Sequence, residues 1–166
     1  MLHFPEPLTS DASSLLELLR SRGLKLTAAE SCTGGLIAAL LTEFPGSSDV
    51  FERGFVTYSN AAKTQMIGVD AGLIAAHGAV SREVALAMAS GALMHSLVDV
   101  SVAVTGMAGP GGGSATKPVG LVHVAVARKG ASPLHQECRF GDIGRSEIRL
   151  QAVIAALKLT RQALGA

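Results

Sequence analysis

The fold of this chain is decided by the stretch Lys25-Leu26-Thr27-Ala28-Ala29-Glu30-Ser31-Cys32-Thr33-Gly34-Gly35. The short apolar run Lys25–Ala29 predicts a strand, and the segment that follows the glycines, Leu36–Glu43, predicts a helix that ends before Pro45-Gly46. The residues between them form a strand-to-helix turn. Its two glycines leave the backbone amides uncovered, so an anion or a developing oxyanion can approach them closely.

The side chains of this turn are chemically unusual for a connection. Ser31, Cys32 and Thr33 place a hydroxyl, a thiol and a second hydroxyl over the start of a helix. A nucleophile held above unpaired N–H groups suits attack on a carbonyl carbon, because the amides stabilise the oxyanion that forms.

Helices and strands alternate along the rest of the chain. The further predicted strands are Phe51–Tyr58, the buried strand Val100–Thr105, Val119–Arg128 and Leu134–Phe140. The further predicted helices are one from about Ser10 to Arg22 that ends at Gly23, a short one that carries Lys63, one over Arg82–Leu97 and a final one over Ile143–Leu164. The last three are predicted to be capped by Ser59 or Asn60, by Ser81 and by Asp142, and Asp70 is predicted to cap a turn. This order predicts an α/β fold with a mixed sheet and helices on both faces. With no repeats and no long linker, residues 1–166 are expected to form a single domain.

Composition excludes several classes of protein. Hydrophobic residues make up 48% and charged residues 16%, which argues against disorder. The mean hydropathy of +0.39 is high for a monomer, yet no window approaches the roughly 18 consecutive apolar residues of a membrane span. We therefore expect no membrane association and a homo-oligomer whose interface uses the apolar surplus. The start of the chain, residues 1–7, lacks the features of a secretory signal, which favours a cytoplasmic location.

Charge and histidine spacing argue against nucleic-acid binding and against a metal site. The net charge is +1, the basic residues are dispersed and the chain has no Trp, so nucleic-acid binding is not expected. Cys32 and Cys138 are predicted to be reduced thiols. The five histidines, at positions 3, 77, 95, 123 and 135, show no metal-ligand spacing, and no metal is predicted.

A glycine-rich loop, Gly106–Ser114, follows the buried strand. It contains neither a P-loop string nor a dinucleotide fingerprint, because it leads into Lys117-Pro118-Val119-Gly120 and a strand rather than into a helix. A plain wide turn is one interpretation. Its position at the carboxyl end of a buried strand, where open α/β sheets bind ligands, favours a binding loop.

Two further segments can be read as structural or functional. Tyr58, the only tyrosine, ends a strand, and Lys63 follows within the first turn of a helix. Both can be ordinary surface residues, but a lysine in a poorly solvated pocket loses its proton readily and can act as a general base. Arg145 lies in the first turn of the final helix, where a cation is unfavourable, so it is expected to meet an anion: either Asp142 or a ligand phosphate.

Five motifs in order resemble those of one family. They are Glu30-Ser31-Cys32-Thr33-Gly34-Gly35, Tyr58-Ser59-Asn60-x-x-Lys63, Gly78-Ala79-Val80-Ser81, Thr105-Gly106-x-Ala108-Gly109-Pro110-Gly111-Gly112 and Lys117-Pro118-Val119-Gly120. Together they resemble the C-terminal domain family of the competence/damage-inducible protein CinA, which includes stand-alone nicotinamide-nucleotide amidases of the PncC type. The resemblance covers about residues 10–163. One departure is that Ser114-Ala115-Thr116 lacks the acidic residue often found before the Lys-Pro-Val-Gly motif.

The resemblance implies a reaction and a set of site residues. The reaction is deamidation of nicotinamide mononucleotide, a pyridine nucleotide, to nicotinate mononucleotide and ammonia, without metal or cofactor, as part of pyridine nucleotide salvage and NAD metabolism. Ser31 corresponds to the nucleophile, Lys63 to the lysine and Tyr58 to the tyrosine that assist it. The remaining implied substrate contacts are the turn amides of Thr33, Gly34 and Gly35 and the oxyanion contacts of Thr105 or Gly106. Beyond the resemblance, we expect the ligand phosphate to meet Arg145 and the loop glycines Gly109, Gly111 and Gly112.

Two other classes stay open from the residues alone. The first is a cysteine hydrolase that uses Cys32, although no histidine is obviously placed to serve its thiol. The second is a non-catalytic nucleotide-binding module linked to competence or the damage response.

Overall fold

The sheet of this protein, described by a computed structural model over residues 4–166, has five strands in the order β2-β1-β3-β4-β5. The strands are β1 (Leu26–Glu30), β2 (Phe51–Val56), β3 (Val100–Gly106), β4 (Leu121–Arg128) and β5 (Leu134–Arg139). The first three are mutually parallel, and β4 and β5 continue the sheet in antiparallel pairing. The single-domain α/β fold with a mixed sheet is as predicted. Residues 1–3 lie outside the described residues. They include His3, for which no metal role was predicted, and the start of the segment 1–7 that was considered as a secretory signal.

Six α-helices cover the two faces of the sheet. They are α1 (Glu6–Ser21), α2 (Leu36–Thr42), α3 (Asn60–Ile67), α4 (Ala71–His77), α5 (Arg82–Met94) and α6 (Arg145–Ala163), and one 3₁₀ turn lies at Ser47–Asp49. Helices α1, α2 and α6 bury one face of the sheet, and α3, α4 and α5 bury the other. None of the helices in residues 4–166 is long and apolar enough to cross a bilayer.

The two faces of the sheet differ in side-chain size. The face under α1, α2 and α6 presents valines such as Val102 and Val124, whereas the opposite face presents alanines such as Ala103 and Ala125. Small side chains let the alanine-rich α5 lie close to the strands. Gly91 allows equally close packing between α5 and α3, because a Cβ there would stand 2.0 Å from the carbonyl oxygen of Ile67.

Several predicted boundaries were wrong for physical reasons. Helix α1 begins at Glu6 rather than Ser10, because proline is tolerated in a first helical turn and Leu8 extends the buried stripe. Helix α5 ends at Met94 rather than Leu97, and both of these side chains are exposed, so no apolar burial prolongs it. The predicted cap Asp142 is also wrong: α6 begins at Arg145 after Gly144, which has a φ of 91°, and no side chain caps it.

The topology brings the ends of the parallel strands to one place. From β1 the chain passes through α2 on one face to β2, and then through α3–α5 on the opposite face to β3. The strand β1, which lies between the parallel strands β2 and β3, is therefore the switch point, and ligands of open α/β sheets bind beside the carboxyl end of such strands. The residue that follows β1 there is Ser31.

Candidate active site

The turn after β1 is built from the inside by Glu30. This carboxylate is 1% exposed and accepts hydrogen bonds from the backbone amides of Gly35, Ile37 and Ala38 at 2.9 to 3.1 Å. It occupies the N-terminus of α2, where the helix dipole favours a negative charge. The hydrogen bonds of the Glu30 carboxylate therefore serve to cap α2.

Ser31 is held at the mouth of the switch point. Its amide donates to the carbonyl of Val104 on β3 at 3.0 Å, and its own carbonyl accepts from the amide of Gly34 at 3.0 Å. These two bonds fix the backbone of the turn on both sides of the residue. The side chain is 8% exposed and points to a cavity.

Lys63 meets Ser31 from α3. Ser59 caps this helix, since its Oγ accepts from the amide of Ala62 at 3.0 Å, as predicted. The Nζ of Lys63 lies 3.1 Å from the Oγ of Ser31 and donates to the carbonyl of Thr57 at 2.9 Å. Strand β2 ends at Val56, two residues earlier than predicted, and the carbonyls of Thr57 and Tyr58 turn toward this amine instead of continuing a ladder.

The environment of Lys63 favours its neutral amine. The residue is 1% exposed, and burial lowers its pKa from the usual value because charge is poorly solvated there. No carboxylate within residues 4–166 forms a salt bridge with it. A neutral amine has two N–H groups for the carbonyls of Thr57 and Tyr58 and one lone pair for the hydroxyl of Ser31.

Cys32 differs from its neighbour in chemistry rather than in access. It is 5% exposed, and burial raises the pKa of its thiol to about 12. A thiol of that pKa stays protonated near neutrality, and the thiolate is the reactive form. Cys32 and Cys138 are both free and buried, in line with the prediction of reduced thiols.

A cavity of about 300 Å³ opens in front of Ser31. Its walls are the ends of β1 and β3, the start of α3, the segment before α5, the glycine loop and the first residue of α6. The lining residues are Ser31, Cys32, Tyr58, Asn60, Lys63, Ala79, Val80, Thr105, Gly106, Met107, Ala108, Gly109, Gly111 and Arg145. Gly106 must lack a side chain, because a Cβ would stand 2.7 Å from Val122 and 3.1 Å from the sulfur of Cys32.

Arg145 is hydrogen-bonded to two other residues that line this cavity. The guanidinium of Arg145 donates to the carbonyl of Gly109 at 2.7 Å and to the hydroxyl of Tyr58 at 3.2 Å. Asp142, the protein carboxylate considered as its partner, forms no salt bridge with it. The hydroxyl of Tyr58, on a side chain 62% exposed, thus faces Arg145, while the carbonyl of the same residue faces Lys63.

Other residues predicted from the sequence lie apart from the cavity or are already engaged. Thr33, Gly34, Gly35 and Gly112 are not among the lining residues. The amides of Gly34 and Gly35 donate to the carbonyl of Ser31 and to Glu30. Thr105 does line the cavity, but its hydroxyl donates to the carbonyl of Ala79 at 2.8 Å.

Arg149, one turn beyond Arg145 on α6, was not predicted from the sequence. Its guanidinium donates to the carbonyls of Cys32 and Thr33 at 3.1 and 2.9 Å, so the last helix is attached to the turn that carries Ser31. The i, i+4 spacing from Arg145 is the only sequence signal for it, since neither the partner carbonyls nor the distance can be read from the chain.

The described residues contain no cluster suited to a metal. Within residues 4–166, no group of three or more His, Cys, Asp or Glu side chains is arranged to hold an ion. Two of the histidines, His123 and His135, contact each other instead, with Nδ1 and Nε2 2.9 Å apart, and burial lowers the pKa of both rings.

Comparison with known proteins settles the family. The model of the CinA C-terminal domain matches residues 8–164. The chain belongs to the CinA C-terminal domain family. The nicotinamide-nucleotide amidohydrolase PncC of Escherichia coli K12 is 50% identical over 143 residues, which cover 86% of each chain. The competence/damage inducible protein CihA of Agrobacterium tumefaciens has a crystal structure that superposes with a TM-score of 0.96 at 52% identity, with 100% of both chains covered.

Longer family members share only this region. A putative competence-damage inducible protein of Caldicellulosiruptor bescii is 55% identical over 115 residues, which cover 69% of this chain and 28% of that protein. The chain spans 28% to 36% of the length of four such curated relatives.

Proposed function

We propose that this protein is a serine amidohydrolase that deamidates nicotinamide mononucleotide to nicotinate mononucleotide and ammonia. The observation that carries the proposal is the contact between the Oγ of Ser31 and the buried Nζ of Lys63 at 3.1 Å, at the mouth of a cavity. The choice of substrate is supported by the Escherichia coli relative, whose name is nicotinamide-nucleotide amidohydrolase.

The placement of these two side chains supports the following sequence of steps. The Oγ of Ser31 attacks the carboxamide carbon while its proton passes to the neutral amine of Lys63. The tetrahedral intermediate collapses, the C–N bond breaks, and the proton held by Lys63 goes to the leaving nitrogen, which departs as ammonia. Water then attacks the nicotinoyl ester on Ser31 and gives up a proton to Lys63. The ester C–O bond breaks, the proton passes from Lys63 to the Oγ of Ser31, and the carboxylic acid product leaves.

The remaining cavity residues are assigned to binding. Arg145 is proposed to hold the ligand phosphate, because two of its N–H groups bind Gly109 and Tyr58 and the others are free to face an anion. Tyr58 orients Arg145 through its hydroxyl, and the amides of the glycine loop at Gly109 and Gly111 line the same wall. A homo-oligomer in the cytoplasm, active in pyridine nucleotide salvage, stays a prediction.

The test measures ammonia release from nicotinamide mononucleotide by the wild-type protein and by two variants of adjacent residues. Ser31→Ala should lower kcat by at least about 10³-fold, because the nucleophile is lost. Cys32→Ala is the matched control and should keep most of the activity, since its thiol is buried and protonated.

Each alternative class has its own outcome in this test. A large loss in Cys32→Ala, together with activity in Ser31→Ala, would make the protein a cysteine hydrolase. Binding of the nucleotide without ammonia release by the wild type would make it a non-catalytic nucleotide-binding module.

A further inference from the structure

Two peptide groups of the turn after β1 have N–H donors that point away from their anchored carbonyls. The Cys32–Thr33 peptide has its carbonyl held by the Nε of Arg149 at 3.1 Å, and the Ser31–Cys32 peptide has its carbonyl held by the amide of Gly34 at 3.0 Å. The only cis peptide among residues 4–166 is at Gly109–Pro110, so both of these groups are trans. In a trans peptide the N–H is directed opposite to the C=O.

The N–H groups of Cys32 and Thr33 are the amides of this turn that have no hydrogen-bond acceptor among the described residues. Within residues 4–166, the amides of Cys32 and Thr33 donate to no carbonyl, whereas the next two amides are used by Ser31 and Glu30. Cys32 lines the cavity and Thr33 does not, so the amide of Cys32, directly after the nucleophile, is the one placed for the oxyanion that forms on the attacked carbon. Of the turn amides expected from the resemblance, Thr33 lies outside the cavity lining, and those of Gly34 and Gly35 are occupied.

We infer that Arg149 is a positioning residue: it holds the Cys32–Thr33 and Thr33–Gly34 peptide planes and, through the Gly34 amide that binds the carbonyl of Ser31, also the Ser31–Cys32 plane, so that the amide of Cys32 forms an oxyanion hole. This inference rests on the proposed function, since it names how that reaction's intermediate is stabilised. Arg149 suits the task because one planar guanidinium reaches two successive carbonyls, at 3.1 and 2.9 Å. Neither carbonyl belongs to α6, so the bonds are tertiary and vanish if the side chain is shortened.

Hydrogen bonds hold the backbone of the turn on both sides. Glu30 binds the amides that lead into α2, and Arg149 binds the carbonyls on the other side of the turn. With the backbone fixed in advance, the N–H groups need no reorganisation when the negative charge develops. Losing Arg149 lets the peptide planes rotate while the cavity that binds the substrate stays lined by the same side chains, because Arg149 is not among its lining residues.

The experiment compares Arg149→Met and Arg149→Lys with Arg161→Met. Arg161 is the matched control because it lies on the same helix and also donates to a backbone carbonyl, that of Asp11 at 3.1 Å, far along the chain from the turn. Arg149→Met should lower kcat about 10²-fold with KM changed less than about threefold, since a poorly aligned oxyanion hole affects the transition state alone. Arg149→Lys should lose less, because an ammonium reaches one carbonyl at a time.

A second measurement separates positioning from folding. Guanidinium chloride at millimolar concentration should restore part of kcat in Arg149→Ala and none in Arg161→Met. The rate at which a fluorophosphonate labels Ser31 should fall in Arg149→Met as well, because the phosphoryl oxygen of the adduct occupies the same hole, and this readout needs no nucleotide substrate.

The outcomes decide the inference independently of the substrate. A kcat and a labelling rate in Arg149→Met equal to those of Arg161→Met would overturn it, as would a rise in KM alone. If the wild type is labelled at Ser31 but releases no ammonia from nicotinamide mononucleotide, the proposed substrate fails, and the labelling rates of the variants still judge Arg149.

Discussion

The cavity has two walls that differ in how they are built. The buried wall is formed by Ser31 and Lys63, and the amine of Lys63 is held from behind by the carbonyl of Thr57. The exposed wall, formed by Tyr58, Gly109 and Arg145, is held by one long side chain that reaches across solvent. A proton transfer needs a lysine whose charge is disfavoured, and a phosphate needs a cation that stays charged. The two walls supply these opposite conditions within one cavity, although Lys63 and Arg145 lie far apart in the chain.

The largest effect is expected when the buried wall receives a permanent charge. Lys63→Arg should lower kcat by about 10² to 10⁴-fold, because a guanidinium cannot accept a proton from Ser31. Steady-state kinetics with nicotinamide mononucleotide measure the loss, and the thermal midpoint checks that the fold persists. Near-normal turnover would show that the residue acts as an electrostatic anchor, which would remove the contrast between the walls.

The pH dependence of the wild type is the control for this variant. Burial lowers the pKa of Lys63 from 10.5, so kcat/KM should rise with pH through a midpoint below 10.5 and level off above it. At Lys63 the unfolded chain binds more protons than the folded one between the lowered pKa and 10.5, so this residue adds a rise with pH to the free energy of unfolding over that range. The raised pKa of the Cys32 thiol contributes a slope of the opposite sign above pH 9.0. Lys63→Met should abolish this rise in urea titrations, and an unchanged slope would contradict a shifted lysine.

A smaller effect, of a different kind, is expected on the exposed wall. Arg145→Ala should raise KM for nicotinamide mononucleotide about ten- to a hundredfold, the loss of one charge-assisted contact, with little change in kcat. Comparison with nicotinamide riboside, which lacks the phosphate, sharpens the test: the variant should lose most of the wild-type preference for the nucleotide. An unchanged preference would move the phosphate to the amides of the glycine loop.

The smallest effect is expected from the partner of that arginine. Tyr58→Phe removes one solvent-exposed hydrogen bond to Arg145 and should change kcat/KM less than about fivefold. The carbonyl of Tyr58, which faces Lys63, is unaffected by this substitution. A loss of 10² or more in kcat would instead make the phenol a proton relay and assign it to the buried wall.

The sequence by itself determined the strand-turn-helix at Ser31, the caps at Asp70 and Ser81, and the α/β class, because apolar periodicity and capping are local properties, and it limited the cap of α3 to Ser59 or Asn60. It failed at Asp142, where a capping residue type was present but the helix began after Gly144 instead. Propensity at such an end is worth about 1 kcal/mol, which tertiary contacts of the neighbouring residues readily outweigh.

The features of the candidate site also fall into those that the sequence predicted and those that only the tertiary structure shows. Ser31, Lys63, Tyr58 and Arg145 could be named from motifs, since each stands at an element end that the local pattern marks. Only the tertiary structure decided that Lys63 is buried against Ser31, that Cys32 is a protonated core thiol, and that Arg149 holds the turn. Burial and long-range hydrogen bonds join residues 32 and 117 positions apart, and no local pattern encodes the dielectric or the distance that sets their chemistry.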